Sequence, residues 1–158
     1  MSDLIQTLRS RFPEAILDSH SHAGDDTVVI RPEALRAVAA FLHDDPEVGF
    51  EILMDVTAVD YYRRKPRFEV VYHFLCHRRN QRLRIKVPVA GKDPRVATLQ
   101  DLWISANWME REVWDMFGIR FDHHPDLRRI LMYEEFEGHA LRKDYRVDKR
   151  QPLVGPVN

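Results

Sequence analysis

The sequence predicts a single-domain α+β fold: a mostly antiparallel central sheet with helices packed on it, followed by an extended C-terminal segment. Strand-like runs are grouped between residues 50 and 88, runs with helical spacing lie before and after them, and the last forty residues show little apolar periodicity. The length of 158 residues suits one domain. We therefore expect an α+β domain over residues 1–118 and an extended segment over residues 119–158.

The first fifty residues predict a helix, two strands and a second helix. Apolar residues at helical spacing run from Leu4 to Phe12, and Pro13 ends this helix. The runs AILDS and TVVIR flank a turn and are typical of strands. Pro32 suits the first turn of the second helix, whose apolar stripe consists of Leu35, Val38, Ala39 and Leu42.

Three strands near 50–59, 67–77 and 81–88 are expected to form the centre of the sheet, because β-branched and aromatic residues dominate them. In the third strand three basic residues alternate with apolar ones, which gives one wet and one dry face. We expect Pro88 and the following Gly91 and Pro94 to end the sheet. The buried residues should include Phe68, Val70, Tyr72 and Phe74, with Cys76 on the same face as a buried, inert thiol.

A third helix is predicted before Gly118, a residue that suits the position after a helix C-terminus. One face carries apolar residues at i, i+4, i+7 and i+8. A different face is charged and aromatic, and there Arg111 and Asp115 are placed to pair on an exposed surface. The apolar face consists of Met109, Val113, Met116 and Phe117, and the other face of Trp108, Arg111, Glu112 and Asp115.

Composition excludes several classes of protein. No apolar run approaches the length of a membrane span, and the first residues do not resemble a signal peptide. The single cysteine excludes both a disulfide framework and an ordinary four-cysteine iron–sulfur cluster within this chain. Neither a Gly-rich dinucleotide motif nor a P-loop motif is present. We expect no cofactor in this chain.

The net charge of −1 conceals a strong asymmetry: residues 61–86 hold nine basic residues and only Glu69 as an acid. One interpretation is a solvated face that folds against the acidic first sixty residues. The other is a nucleic-acid-binding hairpin, with Arg82, Arg84 and Lys86 on phosphates.

Two histidine patterns raise the question of a metal. Asp18, His20 and His22 resemble the opening Asp-x-His-x-His of amidohydrolases, but that motif needs a barrel of about 250 residues. His124 lies beside His123 and upstream of His139, without a zinc motif. Glu110 and Glu112 project in different directions from a helix, so they do not form a catalytic carboxylate pair. The sequence therefore predicts neither a metal site nor a catalytic residue.

The C-terminal half carries a long and specific resemblance to the C subunit of NADH:quinone oxidoreductase, the 30 kDa subunit family of respiratory complex I. The tract consists of ANWMEREVWDMFGIRFDHHPDLRRIL from residue 106 and EGHALRKDY from residue 137. Upstream, DVTAVDY from Asp55 and FEVVYH from Phe68 resemble two central strands of that family. The resemblance covers residues 50–146 densely and the first fifty loosely. The sequence departs from the usual pattern at His123, where glycine is common, and at Ala140 and Arg146, where proline is common.

The resemblance implies a non-catalytic structural subunit of the hydrophilic arm, peripheral on the cytoplasmic side of the inner membrane and attached through partner subunits. The implied partners are the D subunit, which walls the quinone chamber, and neighbouring iron–sulfur subunits, with flavin and iron–sulfur clusters held by partners. Related hydrogenases and other donor:quinone dehydrogenases contain an equivalent subunit, so the electron donor stays open. The residues expected in a partner interface or signature network are Trp108, Glu110, Arg111, Glu112, Asp115, His124, Asp126, Arg128, Arg129, His139, Arg142, Lys143, Asp144 and Tyr145.

The tail over residues 142–158 holds five basic and two acidic residues, two prolines and no apolar periodicity. We expect that it does not pack on its own domain. Ordering free chain is entropically unfavourable without apolar burial. The tail is therefore expected to lie extended across the partner, with Leu141, Tyr145, Leu153 and Val154 docking at intervals.

Overall fold

The computed structural model describes residues 2–152, in which three helices and seven strands follow one another along the chain. The helices are α1 (Asp3–Arg11), α2 (Leu35–Asp44, entered through a 3₁₀ turn at Pro32–Ala34) and α3 (Ala106–Phe117). The strands are β1 (Ile16–His22), β2 (Asp25–Ile30), β3 (Ile52–Asp60), β4 (Phe68–Cys76), β5 (Gln81–Val89), β6 (Arg95–Ala97) and β7 (Arg120–Asp122). The predicted α+β class is confirmed.

Five strands form the main sheet in the order β1-β2-β5-β4-β3. Three of the four pairings are antiparallel, and β2 runs parallel to β5. In the centre of the sheet Val70 stands opposite Ala58 on one neighbour and Val87 on the other. A small second sheet pairs β6 with β7 in parallel. The mostly antiparallel sheet agrees with the prediction, whereas its single parallel pair was not predicted.

The hydrophobic core lies between one face of the main sheet and the helices. Phe68, Val70, Tyr72 and Phe74 are all fully buried, as predicted, and the Cys76 thiol is buried with them. The Trp103 indole N–H also donates to the carbonyl oxygen of Phe50 at 3.1 Å, which fixes the segment before α3 against the start of β3. Helix α3 consequently lies along the edge strand β3.

Pro88 does not end the sheet, because it lies inside β5 opposite Glu69. Strand β2 pairs with β5 only from Leu83 to Lys86, so at Pro88 the β5 backbone has a single neighbour. Proline is tolerated where one side of a strand is free of ladder hydrogen bonds. At the start of the segment that is expected to be extended, Arg120–Asp122 forms the short strand β7 and pairs with β6.

Part of the basic stretch is neutralised by carboxylates of the same chain. Arg67 pairs with Asp60 at 2.7 Å, Lys86 with Glu69 at 3.2 Å, and Arg78 approaches Glu51 at 3.7 Å. Arg84 donates to the Thr27 hydroxyl. Asp60 and Glu51 belong to the acidic first sixty residues, and their contacts support the interpretation that the stretch folds against that part of the chain.

Candidate functional site

Helix α3 carries the predicted charged and aromatic face, but two of its four residues are buried. Trp108 and Glu112 are exposed, whereas Glu110, Arg111 and Asp115 are buried. The expected pairing of Arg111 with Asp115 on an exposed surface is wrong. Both side chains instead bind the segment that follows the helix, because that segment folds back over this face and supplies donors and acceptors of its own.

Asp115 is the centre of this arrangement. One carboxylate oxygen accepts from the backbone N–H groups of Ile130, Leu131 and Met132 at 2.9–3.1 Å. The other pairs with the Arg129 guanidinium at 2.6 Å. Burial by itself raises the pKa of Asp115, but the amide of Met132, the Arg129 guanidinium and the other two amides outweigh it and hold that pKa below its usual range. A short segment of backbone is thereby fixed to one ionised side chain.

Arg129 connects Asp115 to the next part of the loop. Its guanidinium also donates to the carbonyl oxygens of Phe136 at 2.6 Å and Gly138 at 3.0 Å. The same group lies over the rings of Trp114 and Phe136, at 5.6 and 5.5 Å from their centroids. Arginine suits this position, because its planar group donates several hydrogen bonds while stacking on aromatic rings.

Arg111 holds the loop one helical turn earlier. It donates to the carbonyl oxygens of Arg128 at 3.2 Å and Arg129 at 3.0 Å. The indole of Trp108 covers its guanidinium, with the guanidinium carbon 5.2 Å from the ring centroid. Arg128 itself is exposed and pairs with Asp126 at 2.8 Å.

Glu110 occupies a separate buried site beneath the helix. It accepts from the Thr98 hydroxyl and from the Leu99 backbone N–H, the latter at 2.7 Å. Burial raises the pKa of Glu110 to about 7, although both hydrogen bonds oppose the rise. The hydroxyl of Tyr72 is buried and has no hydrogen-bond partner within residues 2–152.

His124 lies with its Nε2 atom 3.9 Å from the Glu110 carboxylate. Its ring nitrogens have other partners: the Asn107 carbonyl oxygen at 3.1 Å from Nε2, and the Asp126 backbone N–H at 3.1 Å from Nδ1. Nδ1 must therefore accept and Nε2 must donate. Because burial lowers the pKa of His124, the ring is neutral at pH 7 and does not form an ion pair with Glu110.

The C-terminus of α3 is closed by residues from the second part of the resemblance. Gly118 has φ of +70°, the left-handed conformation that favours glycine. His139 donates from Nδ1 to the Asp115 carbonyl oxygen at 2.9 Å, and Arg142 donates to the carbonyl oxygens of Phe117 and Gly118. Burial lowers the pKa of His139. Carbonyl groups that the helix leaves without partners are thus satisfied by side chains.

A further attachment joins the loop to the end of β3. Nothing in the sequence indicated this attachment. Asp60 pairs with Arg67 at 2.7 Å and accepts from the backbone N–H of Lys143 at 2.9 Å. Arg67 also pairs with Asp144 at 2.7 Å. The hydrogen bond from Arg67 lowers the pKa of Asp60 to about 2, and it also lowers that of Asp144. Asp60 lies within the run DVTAVDY, but no local pattern indicates a partner eighty residues away.

The described part of the tail folds back on the loop, and the lack of apolar periodicity in the tail did not predict these contacts. Tyr145 stacks on Phe136 with ring centroids 5.8 Å apart. Gln151 donates to the Tyr145 hydroxyl and the Glu137 carbonyl oxygen, both at 2.8 Å. Its own side-chain oxygen accepts from the Glu137 backbone N–H at 2.9 Å. Leu153 and Val154, also predicted to dock on a partner, lie outside the described residues.

The alternative metal sites are not assembled. His20 and His22 are exposed on the edge strand β1. Among residues 2–152, no three His, Cys, Asp or Glu side chains are grouped to hold a metal ion.

Comparison with known proteins places this geometry in a family. The profile described as "Respiratory-chain NADH dehydrogenase, 30 Kd subunit" matches residues 28–151. The chain belongs to this family. The NADH-quinone oxidoreductase C subunit of Roseiflexus sp. (strain RS-1) is 50% identical over 141 residues, which are 89% of this chain and 81% of that protein. The C subunit of Trichlorobacter lovleyi is 47% identical over 153 residues, covering 96% and 90% of the two chains.

Two solved structures resemble this member of the 30 kDa subunit family. The trypsin-resistant fragment of Nqo5 is 34% identical, with a TM-score of 0.67 over 78% of this chain and 98% of that one. A chain of the membrane-bound sulfane sulfur reductase, an archaeal respiratory membrane complex, has a TM-score of 0.79 over 92% of this chain and 85% of that one. At 19% identity the second likeness shows the fold alone.

One departure from the family pattern has a clear structural setting. His123 stands where glycine is common in the resemblance. Its φ is +67°, a backbone conformation that residues other than glycine rarely adopt. The turn therefore has a left-handed conformation with a histidine at this position.

Proposed function

We propose that this chain is a non-catalytic structural subunit of a proton-translocating NADH:quinone oxidoreductase, in which it supports the quinone-chamber partner, the D subunit, while electrons pass from NADH to quinone. The observation that carries the proposal is that the charged residues of the signature tract bind the segment that follows α3. Asp115, Arg129, Arg111 and Arg142 bind backbone groups or one another and so hold the segment from residue 126 to residue 145 in a fixed shape. A segment fixed in this way suits a docking element.

The proposal assigns the chain a place as well as a role. As part of the hydrophilic arm it would lie on the cytoplasmic side of the membrane, attached through the quinone-chamber subunit and neighbouring iron–sulfur subunits. Flavin and iron–sulfur clusters would be held by those partners and none by this chain. Within residues 2–152 no helix is long and apolar enough to cross a membrane. The interface would use residues of the 119–158 segment together with Trp108 and Glu112 of α3.

Affinity purification of the tagged chain from its native membranes tests the proposal. We expect the quinone-chamber subunit, iron–sulfur subunits and NADH-dependent quinone reduction in the same fraction, and loss of that activity from membranes of a strain lacking the chain. A chain that purifies alone, with unchanged quinone reduction in the deletion strain, contradicts the proposal.

A second candidate is the equivalent subunit of a membrane-bound hydrogenase or another donor:quinone dehydrogenase. We keep this candidate because a chain of a different, archaeal respiratory membrane complex has a similar fold. The same purification separates the two, because a co-purified nickel-binding large subunit and an electron donor other than NADH identify the second. A nucleic-acid-binding domain is the remote third, and it requires an affinity for nucleic acid that falls linearly in log K against log salt.

A further inference from the structure

Three large apolar side chains on or next to α3 are exposed. Ile104 is 84% exposed, Trp108 61% and Leu131 57%. Ile104 lies in the turn that leads into the helix, where its carbonyl oxygen accepts from the Asn107 backbone N–H at 3.2 Å, and Trp108 lies in the first turn of the helix. Leu131 is fixed beside the helix by its N–H bond to Asp115, one turn beyond Arg111. We refer to these three residues as the Trp108 patch.

The indole of the Trp108 patch is held in place before any partner binds. It covers the guanidinium of Arg111, which is itself anchored to two carbonyl oxygens of the loop. Tryptophan is among the residue types that carry most of the energy of protein interfaces. An anchor that is already ordered loses little conformational entropy on binding. The ordered indole of Trp108 therefore suits a protein interface.

The rim of the Trp108 patch is acidic and uncompensated. Glu112 lies one turn after Trp108, and Glu134 and Glu135 follow Leu131 closely in the chain; all three are exposed. Within residues 2–152 none of these three carboxylates forms a salt bridge, whereas Asp126 is paired with Arg128. Arg111, which lies under the indole, binds carbonyl oxygens of the loop and none of these carboxylates.

We infer that the Trp108 patch docks on a partner polypeptide that offers an apolar cleft flanked by lysine or arginine. The cleft would take the indole, and the flanking cations would pair with the acidic rim; complementary charge of this kind fixes orientation and speeds association. The inference rests on the proposed function, because it names the surface through which the subunit joins its complex.

The test compares the assembly of patch variants with that of matched controls in the native complex. We expect Trp108→Ala and Ile104→Ser each to lower the yield of assembled complex on the order of tenfold, as the loss of an interface anchor does. Leu17→Ser is the control, because Leu17 is an exposed apolar residue on β1, at the opposite edge of the sheet from α3. The melting temperature of each isolated variant confirms that it folds. Ile104, the most exposed of the three, serves if Trp108→Ala does not fold.

A charge reversal tests the chemistry of the partner. Glu112→Lys should weaken assembly, and more so at low salt, whereas Glu14→Lys, an exposed acid outside the patch, should not. Unimpaired assembly of Trp108→Ala and Ile104→Ser overturns the inference while leaving the proposed function standing. Absence of the wild-type chain from the complex overturns the proposed function itself. A dimer of the isolated chain that Trp108→Ala dissociates, with assembly unaffected, overturns the inference by showing that the occupant is a second copy.

Discussion

Asp115 illustrates how a single residue can fix a segment without regular secondary structure. Its carboxylate is the shared acceptor for three consecutive backbone N–H groups and one guanidinium. A loop normally leaves such groups to water, which is why loops are more mobile than the elements that they join. Here the groups are turned inward onto a charge, so the loop gains a rigid shape from side-chain chemistry.

Replacing Asp115 by Asn should destabilise the protein by about 3 kcal/mol, because it leaves the Arg129 guanidinium without its buried counter-charge. The measurement is urea-induced unfolding at pH 7. Glu112→Gln, on the same helix but exposed, should change the free energy of unfolding by less than about 0.5 kcal/mol. Equal effects of the two substitutions would contradict the role assigned to Asp115.

Glu110 gives the protein a characteristic pH dependence. In the folded state its pKa is raised to about 7 from an ordinary value of 4.5. Between these values the native state retains a proton that the unfolded state has released, so this group makes the free energy of unfolding fall as pH rises. This decrease in the free energy of unfolding is complete above pH 7 and absent below about pH 4.5. His124 and His139, whose pKa values are lowered by burial, oppose this trend below about pH 6.5, because the unfolded chain there binds protons that the native rings do not.

We therefore expect Glu110→Gln to gain stability relative to the wild-type protein as pH rises from 5 to 8, by a relative change on the order of 3 kcal/mol. Unfolding curves at several pH values measure it. The range stays above pH 5 because Asp60, with a pKa lowered to about 2, contributes stability that is lost only in more acidic solution. Parallel pH profiles for the two proteins would show that Glu110 is ionised throughout.

Among the elements, the end of α3 depends most clearly on the close approach of side chains to the backbone of a glycine. A Cβ atom at Gly118 would lie inside van der Waals contact with the His139 ring, in addition to being strained by the positive φ. At Gly24 φ is +88°, and a Cβ would meet nothing within 4 Å. These two glycines therefore separate backbone strain from steric conflict.

Gly24→Ala should destabilise the protein by about 1–2 kcal/mol, the strain of a left-handed alanine. Gly118→Ala should destabilise it more, and it should also raise amide exchange at residues 139–142, since the His139 ring must move away from the helix. Thermal unfolding and hydrogen exchange measure both effects. Equal destabilisation by the two substitutions, with unchanged exchange, would rule out a steric role for His139 at this position.

For the molecule as a whole, the tail distinguishes internal stability from assembly. From residue 147 to residue 152, the tail contacts the loop through Lys149, Gln151 and Pro152, and none of these residues is part of the core. Deleting residues 147–158 should therefore change the free energy of unfolding by less than about 1 kcal/mol. It should lower protection of residues 133–138 from hydrogen exchange and weaken assembly of the complex.

A chain that ends at residue 152 is the matched control for this deletion, because it keeps the contacts of Gln151 with Glu137 and Tyr145. Assembly by this control but not by the longer deletion would assign the effect to residues 147–152. A large loss of domain stability in either chain would show that the tail supports the sheet.

Sequence patterns were enough to establish the class of the fold, the three helices, the central strands and the family. Periodicity indicates which side chains are buried, and this information is local, so Phe68, Val70, Tyr72 and Phe74 could be assigned to the core from spacing alone. The long signature tract identified the family because its composition is specific over forty residues.

The partners of the signature residues, by contrast, became visible only in the folded chain. Asp60 and Lys143 are more than eighty residues apart, and Asp115 meets Arg129 rather than its helical neighbour Arg111. The parallel pairing of β2 with β5 and the continuation of β5 through Pro88 were equally hidden. Helical and strand periodicity record which face meets the core, whereas a polar side chain carries no local mark of its partner. That choice is made when the chain closes on itself and each buried charge must find a counter-charge or a hydrogen bond.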